Sequence, residues 1–387
     1  MLAASSPEFT GRIDRLDATR GIAILGILLM NIFAFALPQT AYMNPTYMGE
    51  ASASDIYIWV SFNLFVQGKF LAIFSILFGA TLVLLHRKGL RWNLCRLFLL
   101  AILGLVHGIV FWDGDILLAY ALTGGIALLL FHQQNDKSLL KIACSIYLIG
   151  LVILFILGSQ IDPTNFWIVS EEQIASEVLQ KTSGGSISLI YRAQSMLNMV
   201  EMLVIQYGWQ LLGLMIFGAL LLKNGWLAGQ FSQQHYRRTA IILIFPALLI
   251  QLLSLYTQSL FNWSFFATSI VGYIINELVI PLQSFGYIAL IYGFWGSIKL
   301  TLLAKMVSCV GRMALSNYLL QTLICTTIFY HFGYFYQFSR LELLGFIIPI
   351  WVVNLLFSYS WLRFFKQGPV EFCWRIFTER LNLMWQK

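Results

Sequence analysis

One short stretch of this chain sets a histidine near two carboxylates in otherwise apolar surroundings: His107-Gly-Ile-Val-Phe-Trp-Asp113-Gly-Asp115. An imidazole beside a carboxylate is a pairing that general acid–base chemistry uses, one group orienting the ring and the ring moving the proton. The stretch joins two apolar runs, residues 97–112 and 116–131. Each is about long enough to cross a locally thin bilayer core. If 97–112 is helical, His107 lies roughly 9 Å inside the membrane, below the carboxylates. Ionisable groups at that depth are costly, which marks His107, Asp113 and Asp115 as candidate catalytic residues. A blander reading stays open. Asp113-Gly-Asp115 also suits a tight, water-facing turn, and His107 then only hydrogen-bonds across a helix pair.

Other polar residues interrupt apolar runs. Asn31 falls in the first run and Lys69 near the middle of residues 56–85. Asn276 and Glu277 precede Pro281 in a later run, where proline predicts a kink. Asn317 and Gln321 are four apart and share a helix face. Lys69, Glu277, Asn317 and Gln321 are candidate substrate-binding residues; polar side chains that merely glue helices together are the alternative.

The elements that must position these groups are membrane helices. Of 387 residues 59% are hydrophobic and 11% charged, with a mean hydropathy of +0.77. A soluble domain carries about 25% charged residues. The fold class expected is all-α: a polytopic helical bundle with about ten transmembrane helices. The runs are 21–37, 56–85, 97–112, 116–131, 141–159, 205–222, 241–260, 270–295, 313–330 and 343–362. Within 56–85, Gln67-Gly68-Lys69 signals either one tilted helix or a short segment leading into a second. Lys and Arg cluster in alternate loops, and placing the N-terminus in the cytoplasm puts 20 of the 24 basic residues on the cytoplasmic side. That bias predicts ten crossings with both termini cytoplasmic. It also accounts for the net charge of +7 without any nucleic-acid partner.

Residues 1–11 read as a loose tail, 12–366 as the transmembrane bundle and 367–387 as an amphipathic helix on the cytoplasmic face. Proline and an acid at Gly368-Pro369-Val370-Glu371 are a helix-start signal. The outer stretch 160–204 is a lid or merely a long loop, broken by Ser-Gly-Gly-Ser at 183–186 and amphipathic over 187–203. Five cysteines show no ligand-like spacing, so no metal is expected. No phosphate-binding glycine loop, GxSxG or HExxH motif is present.

Several stretches together resemble the YeiB-like bacterial inner-membrane proteins. They are Arg15-Leu-Asp-Ala-Thr-Arg20-Gly through Asn31, Phe70-Leu71 with Phe78-Gly79-Ala80, His107 to Tyr120, Gly311-Arg312 through Gln321, and Gly368 to Glu371. The resemblance runs from about residue 12 to 380. It implies distant kinship with transmembrane acyltransferases such as heparan-glucosaminide acetyltransferase. These take an acyl group from cytoplasmic acyl-CoA and pass it to an acceptor across the membrane. By that resemblance Asn31 corresponds to an active-site asparagine. The histidine that the lysosomal enzyme uses shortly after it has no counterpart between Pro38 and Glu50, which leaves His107 as the substitute base. Asp113 or Asp115 would orient it, and Asn31 would donate to the developing oxyanion. Arg20, Arg91 and Arg312 are candidates for the phosphates of acyl-CoA, the expected donor. The expected partners are the bilayer and a small-molecule or glycan acceptor; oligomeric state is open. The expected location is the bacterial inner membrane. A transporter of a small solute, using Lys69, Asn276 and Glu277 at mid-membrane, is the competing function. A tunnel from the cytoplasmic face to His107, lined by basic residues at its mouth, would favour the enzyme, and a closed central cavity around Lys69 and Glu277 would favour the transporter.

Overall fold

Inside a bilayer a backbone has no polar partner but itself, so an apolar run satisfies its amides by coiling. In the computed structural model each of the ten apolar runs falls mainly on helix among the described residues, and no strand occurs among them. The structure describes residues 13–385 apart from 165, 204, 206 and 207. The expected tail at 1–11 lies outside them, as does Lys387.

Among the described residues, seven helical stretches are long and apolar enough to cross a membrane: Asp14–Ala36, Ala53–Leu84, Leu90–Phe111, Asp136–Gly158, Gln233–Leu260, Phe266–Ile298 and Arg340–Phe364. Leu117–Gln133 and Gly208–Lys223 are apolar but shorter. The remaining run is the helix Ala314–Thr326, continued by a π-helical turn at Thr327–His331.

The helix α1 (Asp14–Ala36) is the most enclosed of the long helices, and its neighbours include α4 (Lys69–Leu84), α13 (Leu302–Arg312), α14 (Ala314–Thr326) and α15 (Arg340–Phe364). At the rim, α7 (Asp136–Gly158), α11 (Gln233–Leu260) and α15 turn most of their apolar surface outward. Lipid gives little hydrophobic drive for helices to associate, so close approach through small residues matters. A Cβ on Gly311 would stand 1.8 Å from the Asp17 carbonyl oxygen, where α13 crosses α1. On Gly218 of α10 (Gly208–Lys223) it would stand 1.8 Å from the Ile76 carbonyl oxygen of α4.

The ambiguous run 56–85 is two helices, α3 (Ala53–Phe65) and α4, hinged at Gly68. Its φ of +78° is a conformation that glycine adopts freely. Near the C-terminus the chain breaks between α13 and α14 at Met313. The Asn317 amide mends that break by donating to the Met313 carbonyl at 2.8 Å and the Val310 carbonyl at 3.3 Å. The amphipathic α16 (Pro369–Met384) packs on α5 (Leu90–Val106) and α14, with Val370 and Trp374 turned to the core and Phe377 and Met384 exposed. Within the stretch 160–204, residues 171–202 fold as a hairpin of two helices, α8 (Glu171–Thr182) and α9 (Gly185–Met202), hinged at the expected glycines. It packs on the turns at residues 107–111 and 327–331.

The α4–α10 crossing gives a direct test. Gly218→Val overpacks a backbone contact, so it should cost about 1–3 kcal/mol. The expected result is a lower melting temperature in detergent, and an unchanged one would show that this contact does not hold the helices.

Candidate functional site

The helix α5 does not end at His107 but widens there into a π-helical turn, His107–Phe111, closed by the Trp112 amide on the His107 carbonyl at 3.0 Å. Such turns concentrate at functional sites. Beyond it the chain doubles back. Trp112 stacks on Phe35 of α1 with ring centroids 3.9 Å apart, and Asp115 returns to the level of His107. This corrects the expectation of a histidine lying below its carboxylates: Asp115 is in direct contact with it.

The contacts order the group. His107 Nδ1 lies 2.8 Å from Asp115 Oδ1, and His107 Nε2 lies 3.1 Å from Thr322 Oγ1 on α14. The second Asp115 oxygen accepts the Leu118 amide at 2.9 Å, which caps the start of α6 (Leu117–Gln133). An ionised carboxylate can only accept; a neutral ring paired with one donates from Nδ1 and presents Nε2 to the Thr322 hydroxyl as a base. All three side chains are buried, so the water-facing turn does not describe Asp115. The Tyr318 ring sits 5.2 Å from the imidazole, and its hydroxyl accepts the Ile116 amide at 3.4 Å.

Asp113 points elsewhere. Its Oδ2 is 3.4 Å from Lys181 Nζ on α8, and Glu177 Oε1 is 3.8 Å from the same ammonium. Burial alone would lower Lys181, but Asp113, followed by Tyr330, Tyr191 and Glu177, outweighs it and holds the group well above the ordinary lysine range. Arg192 Nε adds a bond to the Ile109 carbonyl at 2.8 Å, so the α8–α9 hairpin is fastened over the His107 turn.

Beside the group lies a cavity of about 170 Å³. Its walls run from Arg20, Arg96, Arg312, Glu371 and Trp374 to Tyr120 and Tyr318. Glu371 accepts the Leu315 and Ser316 amides at 2.9 and 3.0 Å, capping α14, so two of the motifs quoted above meet in space. The Arg96 guanidinium lies 4.1 Å from the Trp374 ring centre. Buried Nη1 of Arg96 and Nε of Arg312 have no hydrogen-bond partner, although buried donors ordinarily have one. Arg20 bonds Asp17 and Thr81 at 3.2 Å each.

The remaining candidates are placed as follows. Arg91 is exposed and donates to the Trp385 carbonyl at 3.0 Å, away from the cavity wall. Asn31 is half-buried on α1 and is not a hydrogen-bond partner of His107. Asn317 bonds Ser358 as well as the broken helix end, and Gln321 donates to the Ile24 carbonyl at 3.3 Å; both stitch helices together. Lys69 is fully buried and donates to the Asn63 carbonyl at 2.6 Å and to Asn276 Oδ1 at 2.7 Å, not to Glu277. The Glu277 carbonyl takes the Tyr147 hydroxyl at 2.8 Å. Space beside this cluster is about 10 Å³, roughly one water. Sequence reasoning missed Thr322, Arg96, Tyr318 and Trp374. Thr322, one residue beyond the quoted motif, carried no signal of its own, whereas Arg96 was visible as a basic residue at the edge of an apolar run.

The hairpin latch is testable. Lys181→Met strands two largely buried carboxylates, a cost on the order of 3 kcal/mol. Hydrogen exchange across residues 171–202 should speed up. Because the Lys181 value is raised, its contribution is complete at neutral pH and disappears only as pH climbs past about 10.4. Protection that falls between neutral pH and that limit would refute the latch.

Comparison with known proteins places the chain. Residues 221–380 match the family described as a protein of unknown function (DUF418). The chain is 47% identical to the uncharacterised protein YeiB of Escherichia coli (strain K12) over 368 residues, 94% of this chain and 96% of that protein. It is 30% identical to the uncharacterised protein YxaH of Bacillus subtilis (strain 168), over 100% of this chain and 98% of that one. Shared sequence at that level and coverage, with the apolar helices already described, makes this chain a member of the YeiB family of membrane proteins.

Proposed function

We propose that the protein is an acyltransferase of the bacterial inner membrane, moving an acyl group from cytoplasmic acyl-CoA to an acceptor on the other side. The observation that carries this reading is the cavity whose wall joins three arginines to Tyr318, against which His107 packs. Two of those arginines keep buried N–H groups unpartnered, a donor set suited to phosphate oxygens. Trp374 offers a face for an adenine ring. The pantetheine arm is narrow and flexible enough for the cavity, while the nucleotide stays at the arginines. From Ala314 to Thr322 the helix rises roughly 12 Å, a distance such an arm covers.

At the inner end, His107 Nε2 is the proton acceptor and Asp115 holds the ring in the required tautomer. The Tyr318 hydroxyl already accepts the Ile116 amide and retains a proton to donate towards a developing oxyanion. Asn31 keeps the role that its family resemblance implies only if the helices move, since it is not bonded to His107 here. Solute transport through the Lys69 cluster is less favoured by the same features, because the space there is about 10 Å³.

The test is a titration of the purified protein with acetyl-CoA and longer acyl-CoAs. Saturable binding is expected, weakened roughly tenfold by Arg96→Gln or Arg312→Gln, the loss of one charge-assisted bond. His107→Ala should keep binding and lower CoA release by about 10²- to 10⁴-fold. A folded protein that binds no acyl-CoA would end this reading and favour transport.

A further inference from the structure

The Thr322 hydroxyl completes the Asp115–His107 pair in the order carboxylate, imidazole, hydroxyl, with contacts of 2.8 and 3.1 Å. That is the arrangement by which a base activates an alcohol nucleophile. We propose that Thr322 is that nucleophile, carrying the acyl group as an ester between the two sides of the membrane. The proposal rests on the acyltransferase reading.

Three features lead to it. First, the Thr322 proton has two acceptors, His107 Nε2 at 3.1 Å and the Tyr318 carbonyl one turn back at 3.3 Å. The back-bond is common for threonine in helices; the shorter contact to a buried imidazole is not explained by it. Second, Tyr318 and Thr322 are four apart on one helix face, and Tyr318 lines the cavity. The relay requires the Tyr318 side chain to turn so that the cavity reaches Thr322. Third, the hairpin α8–α9 closes the opposite side, pinned by Lys181 and Arg192. Direct transfer would require donor and acceptor to meet in one buried space with both sides open. An acyl-threonine lets each side open in turn.

In the first half-reaction His107 Nε2 takes the Thr322 proton while Oγ1 forms a bond to the thioester carbon. The C–S bond breaks, and the departing thiolate takes that proton from Nε2, leaving CoA as the thiol. In the second half-reaction an acceptor hydroxyl or amine gives its proton to Nε2 and attacks the ester carbon. The ester C–O bond breaks, and Thr322 Oγ1 regains the proton. No oxidant or further reactant enters.

A covalent relay has a signature that needs no acceptor. Labelled CoA should exchange into acetyl-CoA when both are incubated with the purified protein. Peptide mapping should find one acetyl group on the peptide containing Thr322. Thr322→Val should abolish the adduct and lower exchange at least about 100-fold while retaining acetyl-CoA binding. Thr322→Ser, which keeps the hydroxyl, should restore both. Saturable binding without exchange or adduct, or exchange that survives Thr322→Val, would overturn the relay and leave the acyltransferase reading standing as direct transfer. No acyl-CoA binding by the folded protein would overturn both.

Discussion

Every polar atom in the interior of this bundle must find its partner within the protein, because neither lipid nor packed apolar side chains offer one. That constraint explains most of the inter-helix connections. Asn317 repairs the break before α14, Glu371 caps its first turn, and Gln321 reaches the Ile24 carbonyl of α1. Lys69 gathers Asn63 and Asn276 from separate helices. In each case a residue that looks chemical in one dimension has its hydrogen bonds used up by structure.

Against that background two of the exceptions bear on function. Donors at Arg96 and Arg312 remain unpartnered, and both residues line the same cavity. Glu371 on that wall already accepts the Leu315 and Ser316 amides, so the unpartnered arginine donors suit a visiting anion. The Asp115–His107–Thr322 series is the converse case. It is fully hydrogen-bonded, yet its order leaves a basic nitrogen against a hydroxyl, a poised arrangement as well as a satisfied one.

The terminal helix and the hairpin show how peripheral elements serve the interior. α16 brings Glu371 to the start of α14 and Trp374 onto Arg96, so a segment expected only as an amphipathic helix on the cytoplasmic face also forms cavity wall. The hairpin sets Met196 so near Gly108 that a Cβ there would stand 2.2 Å from its sulfur. The π-helical turn is thus packed from one side by the hairpin and joined from another by α14.

What the sequence determined by itself was set by periodicity, composition and charge. Apolar runs had to become helices because lipid forces the backbone to satisfy itself, and Gly68, Gly184 and Gly185 stand at hinges because glycine adopts positive φ without strain. His107 and the two carboxylates Asp113 and Asp115 were legible together because they are neighbours in the chain. Thr322, Arg96 and the meeting of Glu371 with α14 were not, since their partners are 215, 278 and 55 or more residues distant and hydrogen-bond geometry leaves no periodic trace. Which carboxylate holds the histidine was also undecidable in one dimension, as Asp113 and Asp115 differ by a single glycine. Only the folded-back turn, wedged by Trp112 on Phe35, sends Asp115 inward to the imidazole and leaves Asp113 to the hairpin lysine.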